Sequence, residues 1–353
     1  MLSFGYFFIS LGIFLIFVIL LTIFGYFFQY HFFSKFRSKK ISLTTGLESF
    51  GVGTGLFIFY SYFIIDIIRL FNFYTIYLPL IIFDTLNIAY IIYKYKNLSK
   101  DKTKKFFIAF LQFFSNKQTK RKAGILSISF LLLLLVQGVI ETNLSLPAMD
   151  PYNWFDIILY LHRYGDLNYD NYTVHGVGFA IFAAGALLVT SNFYIQYFFI
   201  KYISTFFFSI MILTIYDLSS KVFKKDYEIL ITLIILLCFN SLLFRFSLAV
   251  PSIIATTLGV IFFNTLIQKD NLRIYLIRGI LFGGMFLIHP LYFLFTFGFY
   301  ILFEVYILAK EINRDLKTKE YETSAISINF MKKTGILFLI IVLFSIPYFL
   351  NLD

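Results

Sequence analysis

Residues 174–190, VHGVGFAIFAAGALLVT, decide how the rest of this chain is arranged. The segment is apolar and rich in glycine and alanine, yet it is shorter than the roughly 20 residues that a helix needs to cross about 30 Å of hydrocarbon. Longer apolar runs lie on both sides of it. If 174–190 crosses a membrane, every later basic loop changes side. If it only dips in, those loops stay on one side.

The composition places the surrounding chain in a membrane. The 353 residues are 59% hydrophobic and 14% charged, with a mean hydropathy of +0.83. Apolar runs near the spanning length recur, whereas a β-barrel would show alternating segments of about ten residues. We expect an all-α, polytopic transmembrane helical bundle of about 10–11 spans, integral to the cell membrane. The candidate spans are 4–28, 46–67, 73–93, 124–140, 193–216, 229–247, 250–267, 274–289, 291–309 and 335–350.

The basic residues give an orientation. The net charge is +11, and 25 of the 30 Lys and Arg fall in loops on one side if 174–190 does not cross. The positive-inside rule then makes that side cytoplasmic and places 141–175 outside. No nucleic acid partner is expected, because no compact basic domain exists to bind one. The single cysteine, Cys238, excludes an internal disulfide framework and a thiolate metal cluster.

Charge and hydropathy predict three regions. Residues 1–93 form an N-terminal three-span segment, 94–123 form a basic cytoplasmic loop, and 124–353 form a second transmembrane module with its outer loop at 141–175. Within the basic loop, FFIAFLQFF (106–114) has the pattern of a helix that lies on an anionic lipid surface.

The outer loop contains the most promising chemistry. It carries five acids and Trp154, the only tryptophan. Asp150-Pro151 predicts a helix start, since aspartate suits the cap and proline the first turn. Polar residues then recur on one face, apolar residues on the other, and Gly165 suits the end. We expect an amphipathic extracytoplasmic surface helix, with Asp150 either a plain cap or a carboxylate that faces a substrate.

Cationic side chains are expected at the same end of the bundle. Lys201, Arg245 and His289 lie at the outer ends of predicted spans, and His175 opens the segment 174–190. Each has a structural explanation alone, either snorkelling to the interface or capping a turn. Together they suit a phosphate attached to a lipid.

Intramembrane acids leave a second interpretation open. Glu48, Asp66, Asp84 and Glu304 lie inside predicted spans, where ionisable groups often mark a proton or ion path. They share no recognisable helix motif, although Asp66 and Arg69 are spaced to pair. A transporter or channel is therefore the alternative function.

In the order of its elements, the stretch 120–310 resembles the GT-C superfamily of polytopic membrane glycosyltransferases. The resemblance starts with Asp150-Pro151-Tyr152-Asn153-Trp154 and the surface helix that runs to Tyr164-Gly165-Asp166. It continues in HGVGFAIFAAGALLV (175–189), Lys201, SSKVFKK (219–225) and RGILFGGMFLIHP (278–290).

This resemblance implies transfer of a sugar from a polyprenyl-phosphate-linked donor at the extracytoplasmic face. Asp150 would be the catalytic base, or would help to hold Mg²⁺ or Mn²⁺ if a divalent cation is used. The expected substrate-binding residues are Lys201, Arg245, His289, His175 and Trp154. The implied partners are the lipid-linked donor and membrane lipids, and the acceptor is not indicated.

One departure from the family concerns the next outer loop. It reads RFSLAVPSIIAT (245–256) and carries no acid, where many members have a second acidic motif. A site with two carboxylates on one metal is therefore not expected. A non-catalytic membrane subunit of the same fold stays open as a third interpretation.

Overall fold

A computed structural model of the chain describes residues 2–33, 42–96, 124–131, 150–166, 177–238, 250–268, 271–318 and 323–350. All regular structure in these residues is helical, which confirms the predicted all-α fold. We number the helices in chain order: α1 Leu2–Phe32, α2 Leu43–Ile68, α3 Phe73–Lys96, α4 124–131, α5 Asp150–Tyr164, α6 Gly178–Leu187, α7 Phe193–Val222, α8 Asp226–Cys238, α9 Ser252–Leu266, α10 Leu272–Ile288, α11 Pro290–Thr318 and α12 Thr323–Leu350.

Five described helices are long and apolar enough to cross a membrane. They are α1, α2, α3, α7 and α11, and each coincides with a predicted span. The predicted span at 250–267 corresponds to the shorter apolar helix α9, and that at 335–350 to the apolar stretch Lys333–Pro347 of α12. The predicted span at 274–289 overlaps the 17-residue α10. The predicted spans 124–140 and 229–247 extend beyond the described residues, as does the surface helix proposed at 106–114.

The bundle has a buried centre and an exposed apolar rim. The apolar windows of α2 and α7 are 72% and 78% buried, whereas those of α1, α3 and α11 are only 17–28% buried. Helix α2 packs against α1, α6, α7, α9, α10 and α12, so it forms the middle of the bundle. The helices of the predicted N-terminal segment thus share one core with the later helices. The proposed division of the chain near residue 93 stays a prediction.

Glycine brings α1 and α2 into close contact. A Cβ added at Gly53 would overlap the carbonyl oxygen of Leu21, and one added at Gly25 would lie 2.6 Å from the amide nitrogen of Gly53. Only residues without a side chain permit this spacing. Since α2 carries the central contacts, this crossing fixes α1 on the core.

The segment that decides the topology contains a half-length helix. Helix α6 has ten residues, all buried, so it is only about 15 Å long. Its first residue, Gly178, lies beside Ile58 in the middle of α2 and Ile288 at the end of α10. Its last turn accepts a hydrogen bond from His162 of α5 at the carbonyl oxygen of Leu187. Its ten described residues are too few to cross a bilayer. Whether the whole segment 174–190 dips in stays a prediction.

The helix ends and turns gather at two opposite ends of the bundle, the α5 end and the basic-loop end. The α5 end holds α5, the α2–α3 turn, the last turn of α6 and the start of α7. The basic-loop end holds the end of α1, the start of α2, the α7–α8 turn and the α9–α10 turn. Hydrogen bonds between the side chains of these elements, described below, bring them together.

Candidate functional site at the α5 end

Helix α5 forms as the sequence predicts. It begins at Asp150 and ends at Tyr164, and Gly165 follows with φ 72°, a left-handed conformation that glycine adopts without strain. Its apolar side chains are buried, namely Trp154, Phe155, Ile157, Ile158 and Leu161. Its polar side chains are exposed, namely Asn153, Asp156, Tyr160 and Arg163. The apolar face is covered mainly by other helices of this chain, which hold α5 in one orientation.

Three contacts anchor α5. The Trp154 ring meets the Phe179 ring of α6 edge to face, with centroids 5.6 Å apart. The Nε2 atom of His162 donates to the carbonyl oxygen of Leu187 over 3.0 Å. The amide of Phe71, in the α2–α3 turn, donates to the carbonyl oxygen of Gly165 over 3.1 Å. The predicted substrate-binding residue Trp154 is 6% exposed, so in this structure it packs as an anchor of the helix.

His162 is a polar centre that the sequence interpretation did not use. It is half-buried on α5, and its ring lies 3.5 Å from Nε2 of Gln196, which donates to the carbonyl oxygen of Thr190. Burial lowers the pKa of His162, and the charge of Arg163 lowers it further, against an opposing effect of the Leu187 and Thr190 carbonyls. The neutral imidazole is therefore favoured. The available signal was a histidine eight residues after Trp154, on the apolar face.

The structure describes two of the four predicted cationic residues, Lys201 and His289. Lys201 lies two turns inside α7, is 4% exposed, and has its Nζ 5.8 Å from the ring centroid of Tyr202. His289 stands at the break between α10 and α11, with its amide bonded to the carbonyl oxygen of Met285 over 2.7 Å. Pro290 begins α11 directly after it. Helix α7, which carries Lys201, contacts α2. Helix α10, which ends before His289, contacts both α2 and α6.

The remaining predicted residues fall outside what the structure describes. His175 and Arg245 lie in undescribed segments, and for Asp150 the backbone is described but the side chain is not. Among the described residues, no group of three His, Cys, Asp or Glu side chains could hold a metal ion. The convergence of Asp150, Lys201, Arg245 and His289 on one phosphate stays a prediction.

Buried charges at the basic-loop end form a cluster that the sequence interpretation missed. Glu48 of α2 accepts hydrogen bonds from the Arg273 guanidinium and the Gln268 amide. Arg273 also donates to Oε1 of Gln29, over 2.8 Å. Glu48 is 2% exposed and Arg273 is 7% exposed, so this pair is shielded from solvent. Glu48, predicted as a candidate for an ion path, is thus neutralised by a partner 225 residues away.

A second group of the same cluster joins α2, α7 and α9. Asp217 accepts hydrogen bonds from Thr44 over 2.9 Å, from Lys221 over 2.7 Å and from Asn264 over 2.6 Å. Lys221 also donates to Oδ1 of Asn264 over 2.6 Å. We call Gln29, Thr44, Glu48, Asp217, Lys221, Asn264, Gln268 and Arg273 the polar cluster; Lys221 lies at its exposed edge. It ties five helices or their turns together by charge and hydrogen bonding.

The other intramembrane acids differ from one another. Glu304 of α11 lies 3.8 Å from the guanidinium of Arg278, which also donates to the carbonyl oxygen of Thr265. Asp84 of α3 is 4% exposed, and neither of its oxygens has a hydrogen-bond partner among the described residues. The side chain of Asp66 is not described. Of the predicted ion-path acids with described side chains, Asp84 alone is unpaired.

Comparison with known proteins supplies no relative. No family model, no curated protein and no solved structure matches this chain.

Proposed function

We propose that the chain is a membrane glycosyltransferase in the cell membrane that uses a polyprenyl-phosphate-linked sugar. The supporting observation is the seating of α5. A helix that begins at Asp150-Pro151 lies on a buried half-length helix, with its polar face exposed at the end opposite the basic loops. This arrangement suits an acceptor that approaches from the aqueous side and a donor that stays in the lipid.

The proposed chemistry assigns one role to each residue. The acceptor hydroxyl attacks the anomeric carbon of the donor, the bond from that carbon to the phosphate oxygen breaks, and the polyprenyl phosphate leaves. Asp150 takes the hydroxyl proton as general base, which contributes about 10²–10⁴-fold. A divalent cation, if used, would supply charge to the leaving phosphate, and Asp150 would be its ligand from α5.

Cationic groups stabilise the leaving phosphate in this proposal. Lys201 is buried, and an ammonium that is shielded from water attracts a phosphate more strongly than an exposed one. His289 would contribute from the α10–α11 break, and Arg245 and His175 from the loops around it. Trp154 would act indirectly, since it holds α5 on α6.

The test is sugar transfer from a lipid-linked donor in membranes that contain the protein. We expect Asp150→Asn to lower the rate by about 10²–10⁴-fold. The matched control is Asp156→Asn, because Asp156 lies on the exposed face of the same helix. Unchanged transfer by the Asp150 variant would remove its catalytic role.

One observation favours a second function, a proton-coupled or ion-coupled transporter. Glu48 and Glu304 each have a basic partner, whereas Asp84 lies unpaired inside a candidate span. Solute uptake abolished by Asp84→Asn and insensitive to Asp150→Asn would select this alternative.

A further inference from the structure

Asp84 has an unusual environment for a buried acid. Four acids are buried in the described helices: Glu48, Asp84, Asp217 and Glu304. Three of them lie beside a basic side chain, at Arg273, Lys221 and Arg278 respectively. Both oxygens of Asp84 lack a hydrogen-bond partner in the described part of the chain.

In the described part of the chain, neither α3 nor the helix packed against it places a lysine or arginine beside Asp84. Helix α3 packs against α1, which carries no charged side chain from Leu2 to Tyr30. The titratable side chains on the nearby half of α1 are Tyr26, Tyr30 and His31, and Asp84 is the only charged residue of α3 before Lys94. An isolated carboxylate is very costly in such a setting, so the group must bind a proton or a cation.

Polar side chains lie between Asp84 and the basic-loop end along one face of α3. Asn87 follows Asp84 at a spacing of three, so the two side chains are neighbours on the helix surface. Asn87 accepts a hydrogen bond at Oδ1 from Nε2 of His31, and its own amide donates to the carbonyl oxygen of Phe83. His31 is exposed in the last turn of α1, at the basic-loop end.

Space for a small apolar molecule adjoins this face. Ile88, one turn beyond Asp84, helps to line a cavity of about 290 Å³ between α1, α2 and α3. Its other walls include Tyr26, Phe27 and Ser49. The cavity therefore lies within one helical turn of Asp84 along α3.

We propose that Asp84 is a proton-binding carboxyl inside the bundle, reached from the basic-loop end past His31 and Asn87. This site is separate from the transferase site at Asp150. It goes beyond the proposed function, because that chemistry requires no proton inside the membrane layer.

Dicyclohexylcarbodiimide tests the proposal in proteoliposomes, since this apolar reagent modifies protonated carboxyls in membranes. The acid adds across one C=N bond, its proton moves to nitrogen, and the adduct rearranges to an N-acylurea without losing a group. We expect labelling at Asp84, located by peptide mass spectrometry, to fall at least about tenfold from about pH 6 to about pH 9. Glu304, beside Arg278, should not be labelled.

Three outcomes would overturn the proposal. They are absence of Asp84 labelling at every pH, labelling that does not change with pH, and protection by Na⁺ at constant pH, which would make the site one for a metal cation. The Asp84→Asn protein controls for the labelled position, and its sugar transfer should equal that of the parent protein.

A second variant tests whether protons reach Asp84 past His31. In His31→Phe the aromatic contact with Tyr90 can persist while the titratable nitrogen is removed. After a pH jump on the basic-loop side, Asp84 labelling in this variant should change more slowly than in the parent protein. An equal rate would overturn the route past His31.

Discussion

At the scale of single residues, the energetic cost of a buried ionisable side chain depends on whether it has a partner of opposite charge. Glu48 and Arg273 are both buried and bonded to each other, so neither charge is left alone. Replacing such a pair by apolar groups is often neutral, whereas removing one member leaves the other uncompensated. His162 shows the complementary case of a titratable group that the fold keeps neutral.

The Glu48–Arg273 pair yields a prediction for stability. Arg273→Met should lower the free energy of unfolding by about 3–5 kcal/mol, because Glu48 then remains buried with its charge uncompensated. The double variant Glu48→Met/Arg273→Met should recover most of that loss. Thermal unfolding in detergent would measure both. A double variant no more stable than Arg273→Met would contradict this account.

His162 yields a prediction for pH. Its pKa is lowered in the folded protein, so between that value and about 6.5 the unfolded chain binds more protons. The stabilisation is complete above about pH 6.5 and is lost as pH falls through the folded pKa. The unfolding midpoint should therefore fall on acidification, and His162→Gln should reduce that dependence. Equal pH profiles for the two proteins would contradict the assignment.

Helices in this fold differ in how closely they approach one another. The α1–α2 crossing is the tightest case described above, because Gly25 and Gly53 let backbone meet backbone. By contrast, a Cβ at Gly46 of α2 or at Gly12 of α1 would meet no atom within 4 Å. The two classes of glycine provide a matched test within one helix.

We expect Gly53→Ala to separate α1 from α2 and to lower stability by about 1–3 kcal/mol, the usual cost of overpacking. Gly46→Ala should leave stability unchanged or raise it slightly, since alanine favours helix and the space is open. Unfolding midpoints of the two variants in the same detergent give the comparison. Equal midpoints would mean that the crossing tolerates a methyl group.

At the scale of the whole molecule, the two ends differ in chemistry. The described basic residues Lys221, Lys224, Lys225 and Arg273 lie at one end, whereas α5 presents a polar face at the other. From the positive-inside rule we expect the first end to face the cytoplasm. This orientation underlies both the transferase proposal and the route to Asp84.

Cysteine labelling tests the orientation directly. In a Cys238→Ser background, Asn153→Cys on α5 should react with a membrane-impermeant maleimide in intact cells. Lys224→Cys, in the α7–α8 turn, should react only after permeabilisation. Both positions are exposed, so access should depend on side alone. If the cysteine at position 224 reacted in intact cells and the one at position 153 only after permeabilisation, the orientation would be the opposite of the one we expect.

The sequence predicted what depends on neighbouring residues. Asp150-Pro151 as a helix start, Gly165 as its stop and the short 174–190 segment all follow from local rules. The Glu48–Arg273 pair does not, because its members lie 225 residues apart and meet only through packing. Lys201 was expected at an interface, but its burial depends on which helices surround α7. The convergence on a phosphate stays a prediction because Arg245, His175 and the Asp150 side chain are not described.

The half-length helix α6 also constrains the timing of assembly. It contacts α2, which is synthesised before it, and the end of α10, which is synthesised about 100 residues later. Since synthesis adds about 5–20 residues per second, the α10 surface that packs against α6 is made roughly 5–20 seconds after α6 itself. During that interval its ten apolar residues have no completed partner surface. We therefore expect newly made chains that stop before α10 to be recognised by chaperones and membrane proteases, and longer chains to escape.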